Sequence, residues 1–223
     1  METKNTFEPA CLDDFVFSHD ETKKTLQRIV ERKLEVPHDG VTGLLLYGTY
    51  GTGKSTLAKL LPTLIERSYG NFDNVLMNEY ACASGMSGRK IITDIRDTAA
   101  RVMCFTFSML HYFILDEVDL LDAAAIKALK SLMNLKFSLF IMTTNDASRL
   151  GNGVLTRCQP LPMYAAPDEK FLPLLQRFAK RFGWADPDED ALLEIAKQAQ
   201  GNVRVMARRV QTAALDRLDA LGA

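Results

Sequence analysis

The sequence predicts an α/β protein, in which a parallel sheet lies between layers of helices and a small all-helical unit follows. Up to Pro162, short apolar segments alternate with amphipathic helical patterns, which is the order of strands and crossover helices in a parallel sheet. The apolar segments lack polar alternation, as in strands buried on both faces. After residue 168 only helical patterns remain. We therefore expect a three-layer parallel sheet core over residues 1–163 and a helical domain over residues 164–223.

The core elements can be assigned in chain order. Residues 20–35 predict an amphipathic helix, and residues 41–47 predict a short buried strand. A glycine-rich turn then leads into a helix that begins near Ser55, with leucines at helical spacing. The same order repeats downstream, with a strand over 74–80, a helix over 89–105, a strand from 111, a helix over 123–135 and a strand over 137–145.

The C-terminal domain is predicted from three helical patterns. They cover residues 168–183, 188–201 and 202–221, and each begins with an acidic residue or asparagine that suits an N-cap. Gly183 and Gly201 end the first two patterns, as glycine often does at helix C-termini. These features predict a small helical bundle.

Composition limits the classes of function. The 223 residues carry a net charge of -1 and the pI is near 6.3, so any attraction to nucleic acid must come from a local basic face or from assembly. We expect no membrane segment and no secretion signal, because no apolar run of ~18 residues occurs and the N-terminus is polar. The cysteines lack paired spacing, which favours reduced thiols in a cytoplasmic protein; they are Cys11, Cys82, Cys104 and Cys158.

The segment GTYGTGKS, between a predicted strand and a predicted helix, carries the strongest chemical signal. Its spacing is that of a P-loop, whose backbone N–H groups surround phosphate oxygens at a helix N-terminus. Lys54 would contact the β- and γ-phosphates of ATP, and the Ser55 hydroxyl would hold Mg²⁺. The alternative is a glycine turn with a solvated lysine. The predicted nucleotide-binding residues are Gly48, Thr49, Tyr50, Gly51, Thr52, Gly53, Lys54, Ser55 and Thr56.

A pair of acids ends the apolar segment FILDE. Because the carboxyl ends of parallel strands share one edge of a sheet, Asp116 and Glu117 are expected beside the P-loop. Asp116 would hold Mg²⁺ through water, and Glu117 would orient and deprotonate the attacking water. The alternative is an acidic turn or the N-cap of the next helix.

Together, GTYGTGKS, FILDEVD, FIMTTND, LTRC and GNVR occur in the order expected of AAA+ ATPases. Over residues 7–215 the sequence resembles this family, and most of all the clamp loaders of DNA replication. The resemblance implies an AAA+ core with a helical lid and Mg²⁺-dependent ATP hydrolysis in a homo- or hetero-oligomer. It also implies DNA and a sliding clamp or other replication protein as partners.

The resemblance assigns roles to residues outside the two ATP motifs. Asn145 is similar to the sensor 1 residue, which helps to place the hydrolytic water, although an asparagine at a strand end is commonly a turn residue. Arg157 in LTRC matches the arginine finger that reaches a neighbouring subunit's ATP, and its alternative is a surface salt bridge. Arg204 in GNVR resembles the lid arginine called sensor 2. Val16 and Phe17 resemble the residues that contact adenine, or they belong to the core.

The chain departs from the family pattern at several places. Thr156 replaces the usual serine before the arginine finger, Asn202 replaces a frequent aspartate, and Thr49 and Tyr50 stand where prolines are common. The assignment of sensor 2 to Arg204 depends on the GNVR match, because Arg208 and Arg209 lie on the same helix. Clamp loader subunits usually continue into a helical collar, and we expect these 223 residues to leave no room for one.

DNA contact is predicted for the helix after the second strand. Ser87, Arg89, Lys90 and Arg96 could contact phosphates there, as in the clamp loaders, or they could form a solvated basic helix start. Met86 between glycines also fits a pore loop, which keeps another AAA+ machine open: a helicase or transposase loader, or a protein remodeller. A nucleotide-dependent binding switch with little turnover is the third reading.

Overall fold

The computed structural model describes residues 8–70, 75–82, 87–104 and 106–222. Its contacts divide the chain into two units. The α/β unit consists of Glu21–Gly48 and Lys54–Pro162, and the helical unit consists of the described part of Met1–Asp20 together with Thr49–Gly53 and Met163–Ala223.

The helices and strands of the first 162 residues confirm the predicted alternation. Several helices end earlier than their patterns suggest: the first predicted helix ends at Val30, and the helix after the second strand ends at Arg101. The elements are α1 (Asp20–Val30), β1 (Gly43–Tyr47), α2 (Lys54–Arg67), β2 (Met77–Ala81), α3 (Gly88–Arg101), β3 (His111–Asp116), α4 (Ala123–Leu132), β4 (Ser138–Thr144), α5 (Asn152–Leu155) and β5 (Cys158–Pro162).

The described strands form one parallel sheet in the order β2-β3-β4-β1-β5. Strand β4 lies between β1 and β3, so the strand that precedes the P-loop and the strand that precedes the acids flank it. Leu46 pairs with Thr143, and Leu115 pairs with Met142. The carboxyl ends of these three strands therefore meet at one edge of the sheet, which we call the carboxyl edge.

The edge strand β5 is absent from the sequence prediction, which placed the end of the sheet pattern at Pro160 and Pro162. Proline lacks the N–H that a central strand must donate to its neighbours, so the pattern argued against a strand. The sheet accepts both prolines because β5 pairs with β1 alone among the described strands, with Pro160 opposite Leu45.

The core of the α/β unit consists of apolar side chains from both faces of the sheet. All positions of β4 are buried, and Phe113 and Phe140 stack with their ring centroids 5.4 Å apart. Buried side chains of α3 and α4, such as Ile91 and Leu129, cover one face. This packing explains why the strands read as continuous apolar runs.

A buried carboxylate fixes the segment that leads into β3. Glu66 in the last turn of α2 has no exposed surface and accepts hydrogen bonds from the Phe107 and Ser108 amides at 2.7 and 3.2 Å. The hydroxyls of Ser108 and Tyr112 donate to its other oxygen. A buried charge with this many donors is well satisfied, so it holds the segment at the amino end of β3 in one conformation.

The helical unit contains three long helices with a core of their own. They are α6 (Leu172–Arg181), α7 (Glu189–Ala199) and α8 (Val203–Gly222). Buried side chains from all three pack together, among them Leu175, Leu192 and Met206. No helix in the part of the chain that the structure describes is long and apolar enough to span a bilayer.

Candidate nucleotide-binding site

Asp116 lies where the predicted metal ligands converge. It is the last residue of β3, and its Oδ1 accepts hydrogen bonds from the Ser55 hydroxyl at 2.6 Å and from the Thr143 hydroxyl at 2.5 Å. Ser55 is the second residue of α2, and Thr143 lies near the carboxyl end of β4. Three elements of the α/β unit therefore present oxygen atoms to one point at the carboxyl edge.

Glu117 follows directly and adopts a conformation that is uncommon for a residue with a side chain. Its φ of 56° and ψ of 50° lie in the left-handed region. Its backbone N–H donates to the Thr143 hydroxyl at 3.0 Å. Glu117 is the N-cap residue of the short 3₁₀ helix Val118–Leu120, but its side chain makes no capping hydrogen bond. The following helix α4 is capped instead by Asp122, whose Oδ1 accepts from the Ala125 amide at 2.8 Å. Such unusual backbone geometry is most frequent at functional sites.

Lys54 is the first residue of α2 and is 7% exposed. Its Nζ donates to the carbonyl of Gly48 at 3.0 Å. Burial lowers the pKa of the ammonium group, while the negative charges of Asp116, Asp119 and Glu117 act in the opposite direction. A cation that is taken out of water and fixed at a helix N-terminus is well placed to bind an anion, since phosphate oxygens would replace its lost hydration.

The oxygen atoms at this point suit a magnesium ion. The Ser55 hydroxyl lies 2.6 Å from Asp116 Oδ1, so the water ligands of an ion held by Ser55 would be within reach of this carboxylate. The described residues hold no group of three or more histidine, cysteine or acidic side chains that could bind a metal. Few protein ligands are needed, because Mg²⁺ at phosphate sites usually takes one or two and completes its shell with water and phosphate.

The middle of the P-loop belongs to the helical unit. The Thr52 hydroxyl contacts the carbonyls of Thr49 and Met163 at 3.1 and 3.0 Å. Gly51 has a φ of 76°, and its carbonyl accepts from the Val203 amide at 2.9 Å. A side chain at Gly51 would overlap the Asn202 side chain, with only 2.2 Å between the added carbon and Asn202 Cγ. Glycine is therefore needed here for its conformation and for its contact with the start of α8.

Arg204 lies in the first turn of α8, within the helical unit, and is exposed. The Asn202 side chain organises this turn, because its Oδ1 accepts from the amides of Arg204 and Val205 at 3.1 and 3.2 Å. The replacement of aspartate by asparagine at this position therefore keeps the capping oxygen. Of the two competing arginines, Arg209 hydrogen-bonds to Gln198 of α7.

The two residues predicted to contact adenine lie in the helical unit. Phe17 is buried, with 5% of its surface exposed, and Val16 packs against the apolar core of that unit. Phe15, their neighbour, lies beside Gly53 of the P-loop. Adenine contact by Val16 and Phe17 stays a prediction.

The remaining predicted P-loop residues and Asn145 lie where their motifs suggest. Thr49, Tyr50 and Thr56 are exposed, whereas Gly48 is buried and Gly53 is half-buried. Gly48 donates its N–H to the Thr144 carbonyl at 3.3 Å, which links the start of the loop to the end of β4. Asn145 follows β4 directly and is half-buried, so it lies at the carboxyl edge.

Arg157 lies near the amino ends of the strands, at the side of the sheet opposite the carboxyl edge, which we call the amino edge. It directly precedes β5, and its carbonyl accepts from the amides of Thr42 and Gly43 at the amino end of β1, both at 3.0 Å. Its guanidinium donates to the Gly153 carbonyl at 2.9 Å and to the Asn134 side chain at 3.3 Å, both neutral partners. The length of β1, about 13 Å at the usual rise per residue, separates this edge from the carboxyl edge.

The residues predicted to contact DNA are on the surface of the α/β unit. Ser87 is the N-cap of α3, and Arg89, Lys90 and Arg96 are exposed. The pore-loop alternative rested on Met86, which lies outside the described residues.

Sequence reasoning missed the threonines of β4 and Asp119. Thr143 contacts both acids, and Thr144 donates to the buried Asp119 at 2.7 Å. The signal was the pair of hydroxyl residues at the end of an otherwise apolar strand, directly before Asn145. A polar side chain there needs a partner, because both threonines are almost completely buried.

The thiol next to this site is predicted to be inert. Burial, together with the nearby charges of Asp116, Asp119 and Glu117, raises the pKa of Cys82 to about 12, and burial alone raises that of Cys158 to about 12. At pH 8 only ~10⁻⁴ of such a thiol is the reactive thiolate. In the native protein we expect iodoacetamide to label exposed Cys11 and leave these two unmodified, as measured by peptide mass spectrometry; equal labelling of all three would contradict the burial.

The parallel sheet, the P-loop lysine and the hydroxyl–carboxylate contact define a P-loop nucleotide-binding protein. The family model described as "ATPase family associated with various cellular activities (AAA)" matches residues 44–161. The chain belongs to this AAA family.

Within the AAA family, the chain is similar to two proteins named for roles in replication. Replication factor C small subunit 1 of Pyrobaculum islandicum is 28% identical over 210 residues, which cover 93% of this chain and 60% of that protein. DNA polymerase III subunit gamma/tau of Mycoplasma genitalium is 28% identical over 178 residues, which cover 73% of this chain and 30% of that protein. The chain thus spans about 60% of the length of its archaeal relatives. It resembles the clamp-loader type of AAA+ ATPase.

Solved structures support the fold. The Thermotoga maritima RuvB Holliday junction branch migration motor superposes with a TM-score of 0.72 at 18% identity, covering 97% of this chain and 67% of that one. At this identity the likeness concerns the fold alone, and it confirms the predicted AAA+ architecture.

Proposed function

We propose that this chain is an ATP-hydrolysing subunit of a clamp-loader-like oligomer that acts on DNA during replication. The observation that carries the proposal is the convergence of Ser55, Asp116 and Glu117 with Thr143 at the carboxyl edge, in a chain whose P-loop lysine is already desolvated. The similarity to replication factor C small subunits supports the choice of machine.

Each residue of the site has a defined task in this proposal. The P-loop amides and Lys54 would bind the triphosphate. Ser55 would hold Mg²⁺ directly and Asp116 would hold it through water, and the ion would supply positive charge to the phosphates. Glu117 orients a water molecule and accepts its proton, and Asn145 helps to place that water. Arg204 contacts the γ-phosphate from the lid.

The position of Arg157 supports action as an oligomer. Since this arginine lies at the amino edge of its own sheet, it would serve the ATP bound to a neighbouring subunit. A guanidinium at that place stabilises the negative charge of the transferring phosphoryl group. Both hydrogen-bond partners of its guanidinium, the Gly153 carbonyl and the Asn134 side chain, are neutral, so neither of them offsets its positive charge.

A protein partner is supported by an apolar surface around the amino end of β3. The exposed side chains of this surface are Val102, Met103, Phe107, Met109 and Phe137. Large exposed apolar groups in a cluster mark sites of protein interaction. The buried Glu66 network holds this segment rigid, which lowers the cost of ordering it on binding. In the proposed function this surface binds the sliding clamp or another replication protein.

DNA contact is proposed for the exposed face of α3. Arg89 and Arg96 are seven residues apart, about two turns, so they lie on the same side of the helix. Such cations bind phosphates without reading the sequence. With a net charge of -1 for the chain, several copies are needed to present a strong basic surface.

The proposal is tested by measuring ATP hydrolysis against protein concentration, with and without primed DNA. We expect the rate per subunit to rise with concentration, because sites are completed on assembly, and to rise again with primed DNA. Lys54→Ala serves as the inactive control in every series. Stimulation by a protein partner alone would favour the remodeller, and tight ATP binding with negligible turnover would favour the switch.

A further inference from the structure

We infer that Thr143 is a positioning residue for ATP hydrolysis, whose hydroxyl orients both acids of the site. This inference rests on the proposed ATPase function. It concerns a residue of the FIMTTND segment that lies two positions before the predicted sensor residue Asn145 and to which the sequence analysis assigned no role.

The geometry gives one hydroxyl two tasks. The Thr143 hydroxyl donates its hydrogen to Asp116 Oδ1 at 2.5 Å and accepts the N–H of Glu117 at 3.0 Å. A hydroxyl has a single hydrogen and two lone pairs, so these two bonds also fix its own orientation. The side chain is 1% exposed, so water does not compete for these bonds.

The bond to Glu117 matters because of the backbone conformation there. A left-handed residue with a side chain is held in place by its surroundings. The Thr143 hydroxyl is the partner that fixes the Glu117 amide, and the direction of the Glu117 side chain follows from that backbone. Loss of the hydroxyl would release the turn, and the general base would no longer be held toward the reacting water.

The hydrogen bond from the Thr143 hydroxyl fixes the orientation of Asp116, the predicted metal-binding carboxylate. Ser55 and Thr143 donate to the same carboxylate oxygen, from α2 and from β4. The carboxylate is therefore held from two elements of the α/β unit, the start of α2 and the end of β4. This arrangement is a preorganised support for the ligand of a metal.

The test compares Thr143→Val, which keeps the shape and removes the hydroxyl, with Thr143→Ser, which keeps the hydroxyl. We expect Thr143→Val to lower kcat about ten- to hundredfold, the usual effect of losing a hydrogen bond to a charged group, with KM within about twofold of wild type. Thr143→Ser should recover most of the rate. The Mg²⁺ concentration for half-maximal activity should rise in the valine variant.

A matched control is Thr22→Val, since Thr22 is also buried and its hydroxyl also donates a hydrogen bond, to the Pro162 carbonyl at 3.1 Å. It should hydrolyse ATP as wild type does. A valine variant at 143 with wild-type kcat, or a serine variant as slow as the valine one, would overturn the inference. Wild-type protein that does not hydrolyse ATP would instead reject the proposed function, so the two failures are distinct.

Discussion

Glu117→Gln is expected to bind ATP as tightly as the wild type and to hydrolyse it about 10²–10⁴-fold more slowly, the range for loss of a general base. The amide keeps the size and the hydrogen-bonding oxygen of the side chain but cannot take a proton from water. Binding should persist, because the hydrogen bonds from Lys54 to Gly48 and from Ser55 to Asp116 do not involve the Glu117 side chain. Calorimetry measures binding, and phosphate release measures turnover.

The control for this variant is Glu79→Gln. Glu79 pairs with Lys59 on the surface, and its side chain is 42% exposed, so its loss should leave both binding and turnover unchanged. If Glu117→Gln turned ATP over at the wild-type rate, the assignment of the base would be wrong. If it failed to bind ATP, the loss of activity would report damage to the binding site rather than to the chemistry.

Arg157→Ala is expected to lower hydrolysis by about 10³–10⁵-fold, as the loss of an arginine finger does. Because Arg157 is at the amino edge of its own sheet, we expect the site that loses its cation to be that of a neighbouring copy. ATP binding should remain close to wild type. Arg101→Ala is the control, because Arg101 is an exposed arginine of the same unit with a loose contact to Asp97 at 3.9 Å.

A mixing experiment separates this role from a structural one. Lys54→Ala subunits should not hydrolyse ATP themselves, yet they carry an intact Arg157. Mixed with Arg157→Ala subunits, they should restore hydrolysis above the sum of the two separate samples, because they supply the missing cation to intact P-loops. Wild-type activity of Arg157→Ala alone, or no gain on mixing with assembly intact, would show that the arginine does not act between subunits.

The sequence was sufficient for the elements whose signal is local. The strands around Phe113 and Phe140 read as apolar runs because both faces of the sheet are covered. Strand β5 was missed because proline argues against a strand, and only the sheet order shows that Pro160 lies at an edge. Helix ends shifted by several residues, since the last turns of α1 and α3 are decided by packing rather than by pattern.

The candidate site also contains some features that the sequence predicts and others that only the structure shows. Lys54, Ser55 and Asp116 could be predicted to lie close together, because the strands before them end at one edge of a parallel sheet. The bonds of Thr143 depend on strand register, which the sequence does not display. The contact between Gly51 and Asn202 joins positions that are far apart in the chain, so only the folded helical unit reveals it. The roles of Arg204, Val16 and Phe17 stay predictions.

The placement of Arg157 and the start of the P-loop at opposite edges of one sheet also determines how many complete catalytic centres the proposed assembly would contain. In the proposed assembly, in which Arg157 serves a neighbouring subunit, an open row of this chain alone would contain one fewer complete catalytic centre than it has copies. It would have an idle nucleotide at one terminus and an unused arginine at the other. Closing the row into a ring adds the last centre without adding a subunit. The ratio of active centres to protomers therefore distinguishes the two arrangements.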